Sequence, residues 1–435
     1  MQDELLAVAD DGETRVVAAR VARHEREVLR EDIDKLKRLI QEFQAELAVL
    51  GAGVDNLESR VSFLGDHQFS TTTTLRGEVL FGIANVFGDK ARNNNKQLRD
   101  SDRGERAETV FQDRVRLNLE TSFTGKDLLR TRLQAGNAGG RNRLNATSPT
   151  GTNMTRLAYD AGVDNQVTVS QLFYRTSVGP MTLFVGATGV GLDTVFDPIN
   201  PLLDNGATGA LSRLQLQNNI VYSGPANAGA AVTLSNDFIN FTVTYLSDDS
   251  AAPREGAGLF NGDYSAGAQL SFNIENTFQI AATYVHSSQK GSPVFGGVSS
   301  LNTEFPFGNN PTSADRFGLQ VNFRPSPILS LNAWGGYAKV RNENDIFNEQ
   351  DVWSWNASAA LADVLFEGSL LWVGGGLPPK ASSEDGTSYI IETGCRILIG
   401  DNIAITPGGY FLFNPNHDNS NDSIFVGVIR TVFLF

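Results

Sequence analysis

The chain has 435 residues, of which 41% are hydrophobic and 9% aromatic, with 43 glycines and a net charge of −14. No run of eighteen apolar residues occurs, so membrane-crossing helices are excluded and a membrane protein of this sequence has to be a closed barrel. The acidic balance argues against a nucleic-acid partner, and the single cysteine, Cys395, excludes an internal disulfide.

Met1 is followed by Gln2, Asp3 and Glu4, not by a basic and then apolar stretch, so no secretory signal is visible. For a barrel, that start implies a truncated or mis-started sequence. Residues 1–25 are expected to be poorly ordered or helical. Beyond them Leu29, Ile33, Leu36, Ile40, Phe43, Leu47, Leu50, Val54, Leu57, Val61 and Leu64 recur at alternating spacings of four and three, a heptad that predicts a coiled coil over residues 26–66. A soluble helical hairpin is the other reading, but it does not need so long a two-position seam. Asp32 is placed to pair across the seam with Lys37, and Gly51-Ala52-Gly53 to bend it. From Leu29 to Leu64 the helix spans about 50 Å at ~1.5 Å per residue. β-Branched residues at a with Leu at d lean toward two strands, while Leu39 widens the stripe toward more, so the coil alone leaves the oligomeric order open.

Residues 70–435 read as an all-β transmembrane barrel. Val115, Leu117, Leu119 and Phe123 alternate with Arg114, Arg116, Asn118 and Glu120; Ile239 to Tyr245 and Phe317 to Phe323 repeat the pattern. About sixteen antiparallel strands are expected. They begin near Leu75, Glu108, Asp127, Val167, Met181, Gly229, Phe238, Tyr264, Thr277, Asp315, Ile328, Val352, Gly368, Ser388, Ile403 and Ser423. Tight turns at Gly179-Pro180, Ser235 to Asp237, Glu275-Asn276, Pro325 to Pro327 and Gly400 to Asn402 alternate with longer polar loops. That asymmetry marks an outer-membrane barrel and has no purpose in a soluble sandwich. A barrel of this size encloses a water channel without a plug domain.

The longest loop, roughly Val190 to Ala228, carries Asp193, Asp197, Asp204 and Arg213, and is expected to fold into the lumen as a constriction. Strand parity aims Arg114, Arg116, Arg130 and Arg132 at the lumen, with Arg175 and Arg396 as additions, and Val115, Leu117, Leu119, Leu129 and Leu133 outward. Acids on the loop facing these arginines make a transverse field; equally, the arginines satisfy the need for a polar interior and nothing more. At the end of the chain Phe425, Gly427, Ile429, Thr431, Phe433 and Phe435 share one face of a strand that rises about 25 Å, the height of an outer-membrane apolar band. A buried sandwich strand has the same periodicity.

No catalytic set emerges: the histidines are His24, His67, His286 and His417, two of them before the barrel, with no nucleophile-elbow serine and no metal-spaced cluster. Neither a cofactor nor a metal is expected, and Asp418, Asn419, Asn421 and Asp422 read as a solvated turn more readily than as a calcium loop.

The segments "LIQEFQAELAVL", "VDNLESR" and "HQFSTTTTLRGEV", then "FDPINP" with "GALSRL", "FEGSLLWVGGGLPPK" and the closing "DNIAITPGGYFLFNPNHDNSNDSIFVGVIRTVFLF", resemble the cyanobacterial outer-membrane porins of the carbohydrate-selective porin (OprB) and iron uptake porin family. The resemblance covers about residues 26–435. It implies an outer-membrane porin, embedded in outer-membrane lipid and homotrimeric in the family manner, for passive diffusion of small hydrophilic solutes. It implies further that the terminal aromatics Phe433 and Phe435 signal to the barrel-assembly machinery, and that the periplasmic coil continues from a wall-binding domain that grips peptidoglycan. Residues 1–25 do not make such a domain, so peptidoglycan is a partner only if one lies upstream. The family is named for sugars and for iron, which leaves the solute open. The alternative function is a structural tether between outer membrane and wall.

Overall fold

The computed structural model describes residues 2–67, 72–92, 107–145, 148–162, 164–275 and 277–435. They fall into two units, Met1–Thr71 and Thr72–Phe435.

The first unit is one helix, α1 (Gln2–His67), so residues before the heptad are helical, and Gly51 and Gly53 lie within it. Along it the heptad residues form an exposed stripe: Leu29 is 63% exposed, Phe43 60% and Leu50 66%. The side chains of Val61 and Leu64 lie outside the described set. Lys35 pairs within the helix with Glu31 at 3.0 Å and approaches Asp32 at 3.9 Å, ordinary surface pairs of small energetic weight. An apolar stripe left in water along a helix is what a coiled-coil partner covers.

The second unit is a closed antiparallel barrel in which every strand pairs with its neighbours in the chain. Its strands are β1 (Thr73–Phe87), β2 (Val110–Thr121), β3 (Asp127–Gly136), β4 (Thr168–Val178), β5 (Met181–Thr188), β6 (Ala228–Ser235), β7 (Ile239–Ser247) and β8 (Tyr264–Ile274). Then come β9 (Phe278–Lys290), β10 (Pro311–Phe323), β11 (Leu329–Asn342), β12 (Asp345–Ala362), β13 (Leu370–Ala381), β14 (Tyr389–Ile399), β15 (Ile403–Phe413) and β16 (Ile424–Leu434). Closure is made by β1 on β16, from Glu78 opposite Leu434 to Phe87 opposite Phe425.

The two barrel ends differ as the turn residues imply. At the end where β1 begins, connections run from Gly179-Pro180 alone to residues 363–369; at the other they include 137–167, 189–227 and 291–310. Residue 276, part of one expected tight turn, lies outside the described set. One connection departs from the expected alternation. At the loop end β11 and β12 are joined by Glu343 and Asn344 only, because both strands extend beyond their neighbours. For the same reason β12 starts at Asp345 instead of Val352, and β10 at Pro311 instead of Asp315.

Side-chain parity separates lipid from lumen. In β1, Leu80 and Ala84 are buried inside, while Phe81, Ile83 and Phe87 are exposed outside. Near the loop end the outer surface carries rings in contact, Phe87 stacked on Phe425 with centroids 5.9 Å apart and Phe411 tilted against Phe425 at 4.6 Å, and Tyr284 and Phe317 are tilted against one another at 5.1 Å further along the wall. Near the turn end Phe123, Phe238, Phe272, Phe323 and Phe435 are exposed. Two aromatic belts around an apolar band are the lipid-facing signature of an outer-membrane barrel, and this decides against the buried-sandwich reading of β16. Phe433 joins the outer face edge-on to Phe81, with centroids 6.0 Å apart.

Inside, two apolar clusters fill the space between the wall and the inward loops. One joins Leu203, Ala210, Leu211 and Leu214 to Trp372, Tyr410, Val426 and Val432; the other joins Phe196, Ile220 and Val221 to Val285, Ala314 and Ala338. The lumen is therefore not polar all round: much of the wall from β9 round to β16 and β1 is apolar and buried under loop, which removes it from water.

Candidate functional site

The loop joining β5 to β6, residues 189–227, enters the barrel and crosses it. It contains α2 (Leu192–Val195) and α3 (Arg213–Leu216), each one turn long. Wall side chains hold its backbone in chain order. Gln269 accepts from the Asp197 N–H at 2.7 Å, and the Asn332 amide donates to the Ile199 carbonyl. Arg396 donates to the Thr208 carbonyl at 3.3 Å. Arg430 donates to the carbonyls of Gly206, Ala210 and Gly209 at 2.9, 2.8 and 2.6 Å. Glu392 accepts from the N–H groups of Leu211 and Ser212 at 2.8 and 2.7 Å and from the Trp372 indole at 2.9 Å. Arg316 closes the far end, donating to the Ile220 and Val294 carbonyls at 3.0 and 2.7 Å.

Such buried charges are tolerable only because fixed backbone dipoles replace their hydration. Close approach also needs small wall residues. A Cβ on Gly336 or Gly408 would sit 2.6 Å from Ile220 or Leu211 of the loop. Sequence reading missed Glu392, Arg430 and Arg316 as loop anchors. For Glu392 and Arg430 a signal was there, namely a charged residue at the parity of Ile390 or of Val428 and Val432, and the strands beside Arg316 and Arg430 carry the glycine pairs Gly335-Gly336 and Gly408-Gly409.

With the loop bound to strands β8 to β16, the inner faces of β2 to β4 remain opposite it. There the four predicted arginines are indeed inward, but they are not equivalent. Arg114 is 2% exposed and is consumed by Glu78, at 2.7 Å from Nη2, and by the Asp160 carbonyl, at 3.2 Å from Nη1. Arg130 pairs with Glu120 at 2.6 Å and lies over the Phe173 ring. Arg116 donates from Nε to Gln134 at 2.6 Å, and Arg132 from Nε to the Ser170 hydroxyl at 2.9 Å, and the terminal nitrogens of both meet no partner among the described residues. Arg114 and Arg130 are thus spent largely on Glu78 and Glu120, which leaves Arg116 and Arg132 as the candidates for a basic wall.

The two additions also separate: Arg396 touches the crossing loop, whereas Arg175 is exposed toward the turn end, opposite Leu128. Outward parity of Val115, Leu117, Leu119, Leu129 and Leu133 holds.

On the loop, Asp193 and Asp197 are exposed and Asp204 is half-buried. Burial, and then the charges of Asp197 and Asp193, push the Asp204 carboxyl up to about 7. Burial likewise raises Asp197. Asp193 lies within electrostatic reach of both Arg132 on the wall and Arg213 on the loop. Acid and base therefore face one another inside the barrel.

The remaining titratable candidates are scattered. His286 is on the outer face beside Asp315 at 2.9 Å, and His417 is buried in the loop before β16, accepting from the Ser388 N–H at 2.9 Å. In that loop Asn421 holds Arg92 through both backbone groups, which uses the side chain that a calcium site would need.

Comparison with known proteins agrees with this architecture. The description "Carbohydrate-selective porin, OprB family" applies to a family profile that matches residues 30–435. The uncharacterized protein sll0772 of Synechocystis is 37% identical over 93% of this chain and 76% of its own length. The uncharacterized protein alr4550 of Nostoc is 34% identical over 94% of this chain and 73% of its own. Among solved structures, an anion-selective porin from Comamonas acidovorans aligns with a TM-score of 0.56 at 12% identity, over 84% of this chain and 99% of that one. OprB of Pseudomonas putida aligns with a TM-score of 0.55 at 11% identity, over 86% and 96%. Barrel, inward loop, and a match that spans nearly the whole sequence together place this chain in the carbohydrate-selective porin, OprB family.

Proposed function

We propose that the barrel is an outer-membrane channel through which small hydrophilic solutes, sugars and inorganic ions among them, diffuse passively, and that the crossing loop facing Arg116 and Arg132 is its constriction. The observation that carries this reading is a closed sixteen-strand barrel whose interior keeps water-accessible charges on both sides of the gap, Arg116 and Arg132 against Asp193 and Asp197. Liposomes containing the protein should swell in small sugars at rates that fall with sugar size. Equal rates for all sizes, or none, would count against a sieving channel.

The charge of the loop face should respond to pH. Above about 7 Asp204 is ionised and adds to Asp193 and Asp197; below it the proton is held and that charge is lost. Reversal potentials under a salt gradient should therefore move toward anions as pH falls from about 8 to about 6. Glu304 titrates in the same range, so the comparison is with Asp204→Asn, which should remove most of the shift.

The exposed heptad stripe of α1 supports a second reading, a periplasmic coiled coil through which copies of the chain assemble, in a trimer or otherwise, and through which the protein acts as a tether. Ile40→Asp with Leu47→Asp buries two charges in such a seam, a cost of several kcal/mol, on the order of 5, unless the coil opens. The variant should lose oligomers in cross-linking while its barrels still conduct. Loss of current from folded barrels would show that the helix is part of the channel.

A further inference from the structure

A second group of arginines lies on the loops at the loop end of the lumen. The 137–167 connection and the crossing loop run side by side there. Leu157 bridges Ser212, the Ala158 N–H donates to the Leu211 carbonyl at 2.7 Å, and the Arg213 N–H donates to the Arg156 carbonyl at 3.0 Å. These bonds fix Arg156 and Arg213 as neighbours. Asp160 adds the third arginine: its carboxylate pairs with Arg156 and lies 3.2 Å from the Arg143 Nε. Burial alone would raise Asp160, yet Arg156, Arg213 and Arg143 override it and hold the carboxyl down at about 2.

Among the described residues the group is short of negative charge, with Asp160 its one firmly ionised partner. Glu304 approaches through Asn153, at 2.6 Å, and burial pushes it up to about 7, so at neutral pH it is half protonated. Asp193 contributes at longer range. The Arg213 side chain makes no hydrogen bond and no ion pair to any described residue, although it is only half-exposed and set deep among loops. The terminal nitrogens of Arg143 and one terminal nitrogen of Arg156 are likewise unengaged. Gly297 leaves the space beside them open: a Cβ there would be 3.3 Å from Arg156 Nη1. Desolvated guanidinium edges without carboxylates are arranged to receive an oxyanion, whose several oxygens accept from more than one fork at once.

We propose that Arg143, Arg156 and Arg213 form a collecting site for small oxyanions, of the phosphate or phosphate monoester kind, which passes them to Arg132 and Arg116 at the constriction. The proposal rests on the channel reading and names the solute class that the channel favours, in a chain whose overall charge is negative. Chloride presents one point of charge and cannot bridge the forks, so oxyanions should dwell longer and interrupt chloride current.

The test is single-channel recording of the full chain in planar bilayers in potassium chloride, with inorganic phosphate, glycerol phosphate or glycerol added. Wild-type channels should be anion-preferring and blocked by phosphate and glycerol phosphate but not by glycerol. Arg213→Gln, which removes a side chain with no hydrogen bond or ion pair to any described residue, should raise the half-blocking phosphate concentration about threefold, and the triple change R143Q/R156Q/R213Q about tenfold or more. Block by inorganic phosphate alone assigns the site to the free ion; equal block by both assigns it to the phosphoryl group in general. Block that is unchanged in both variants, or cation preference in the wild type, overturns the proposal while the channel stands. A folded barrel without current overturns both.

Discussion

Removing Phe435 is expected to lower the yield of assembled barrel about tenfold or more, a factor that corresponds to roughly 1.4 kcal/mol or above. The residue completes closure: its carbonyl accepts from the Gly77 N–H at 2.6 Å and its N–H donates to the Gly77 carbonyl at 3.1 Å. Its ring lies over Gly77 so closely that a Cβ there would be 2.2 Å from it. Two ladder bonds at about 1 kcal/mol each, with a partly buried ring at about 1–2 kcal/mol, make the seam between β1 and β16 the place where a small loss prevents closure. Packing can be told from recognition by the assembly machinery. Gly77→Val displaces the ring from the receiving strand but leaves the terminal aromatic intact. If both variants lose assembly equally, packing accounts for the effect; if only the loss of Phe435 does, the terminal aromatic is itself read. Normal yield from the deletion would refute both.

The second large effect is expected from releasing the crossing loop. Glu392→Ala with Arg430→Met deletes both buried charges together, so neither is left unpaired, and frees two N–H groups and three carbonyls of the loop tip. Each unsatisfied buried group costs about 1–3 kcal/mol, enough for the tip to leave the wall and fluctuate in the lumen. Conductance should then become noisy and change about twofold or more, while the strands stay paired and the far-ultraviolet spectrum is unaltered. Steady wild-type current from this variant would mean that apolar packing of Leu203, Leu211 and Leu214 alone positions the loop.

The barrel was legible in the residues because period-two alternation and turn chemistry are local. They located most strands within a few residues, and they put Phe425, Phe433 and Phe435 on one face, which the closed barrel turns toward lipid. They failed where strands outrun the membrane: Asp345 to Asp351 has only Ile346 and Phe347 among polar residues, too few to show alternation, and reads as loop, yet pairs with β11 as far as Asn342. The site was half legible. Parity aimed the arginines correctly, but which of them stay free depends on cross-strand partners, Glu78 for Arg114 and Glu120 for Arg130, that register alone brings near. Arg143 and Arg156 were not visible at all, since a loop has no periodicity to say which way a side chain faces. Glu392 and Arg430 were visible as anomalies, charges among Ile390, Val428 and Val432, but their purpose appears only with the loop backbone beside them.

The central claim, a water-filled lumen narrowed by a loop and not closed by it, is tested most directly by single-channel current from the purified full chain in a planar bilayer. Discrete, long-lived steps of uniform size, weakly dependent on voltage, are predicted. Folded barrels, heat-modifiable on a gel and inserted in the bilayer, that pass no current in molar salt would contradict it.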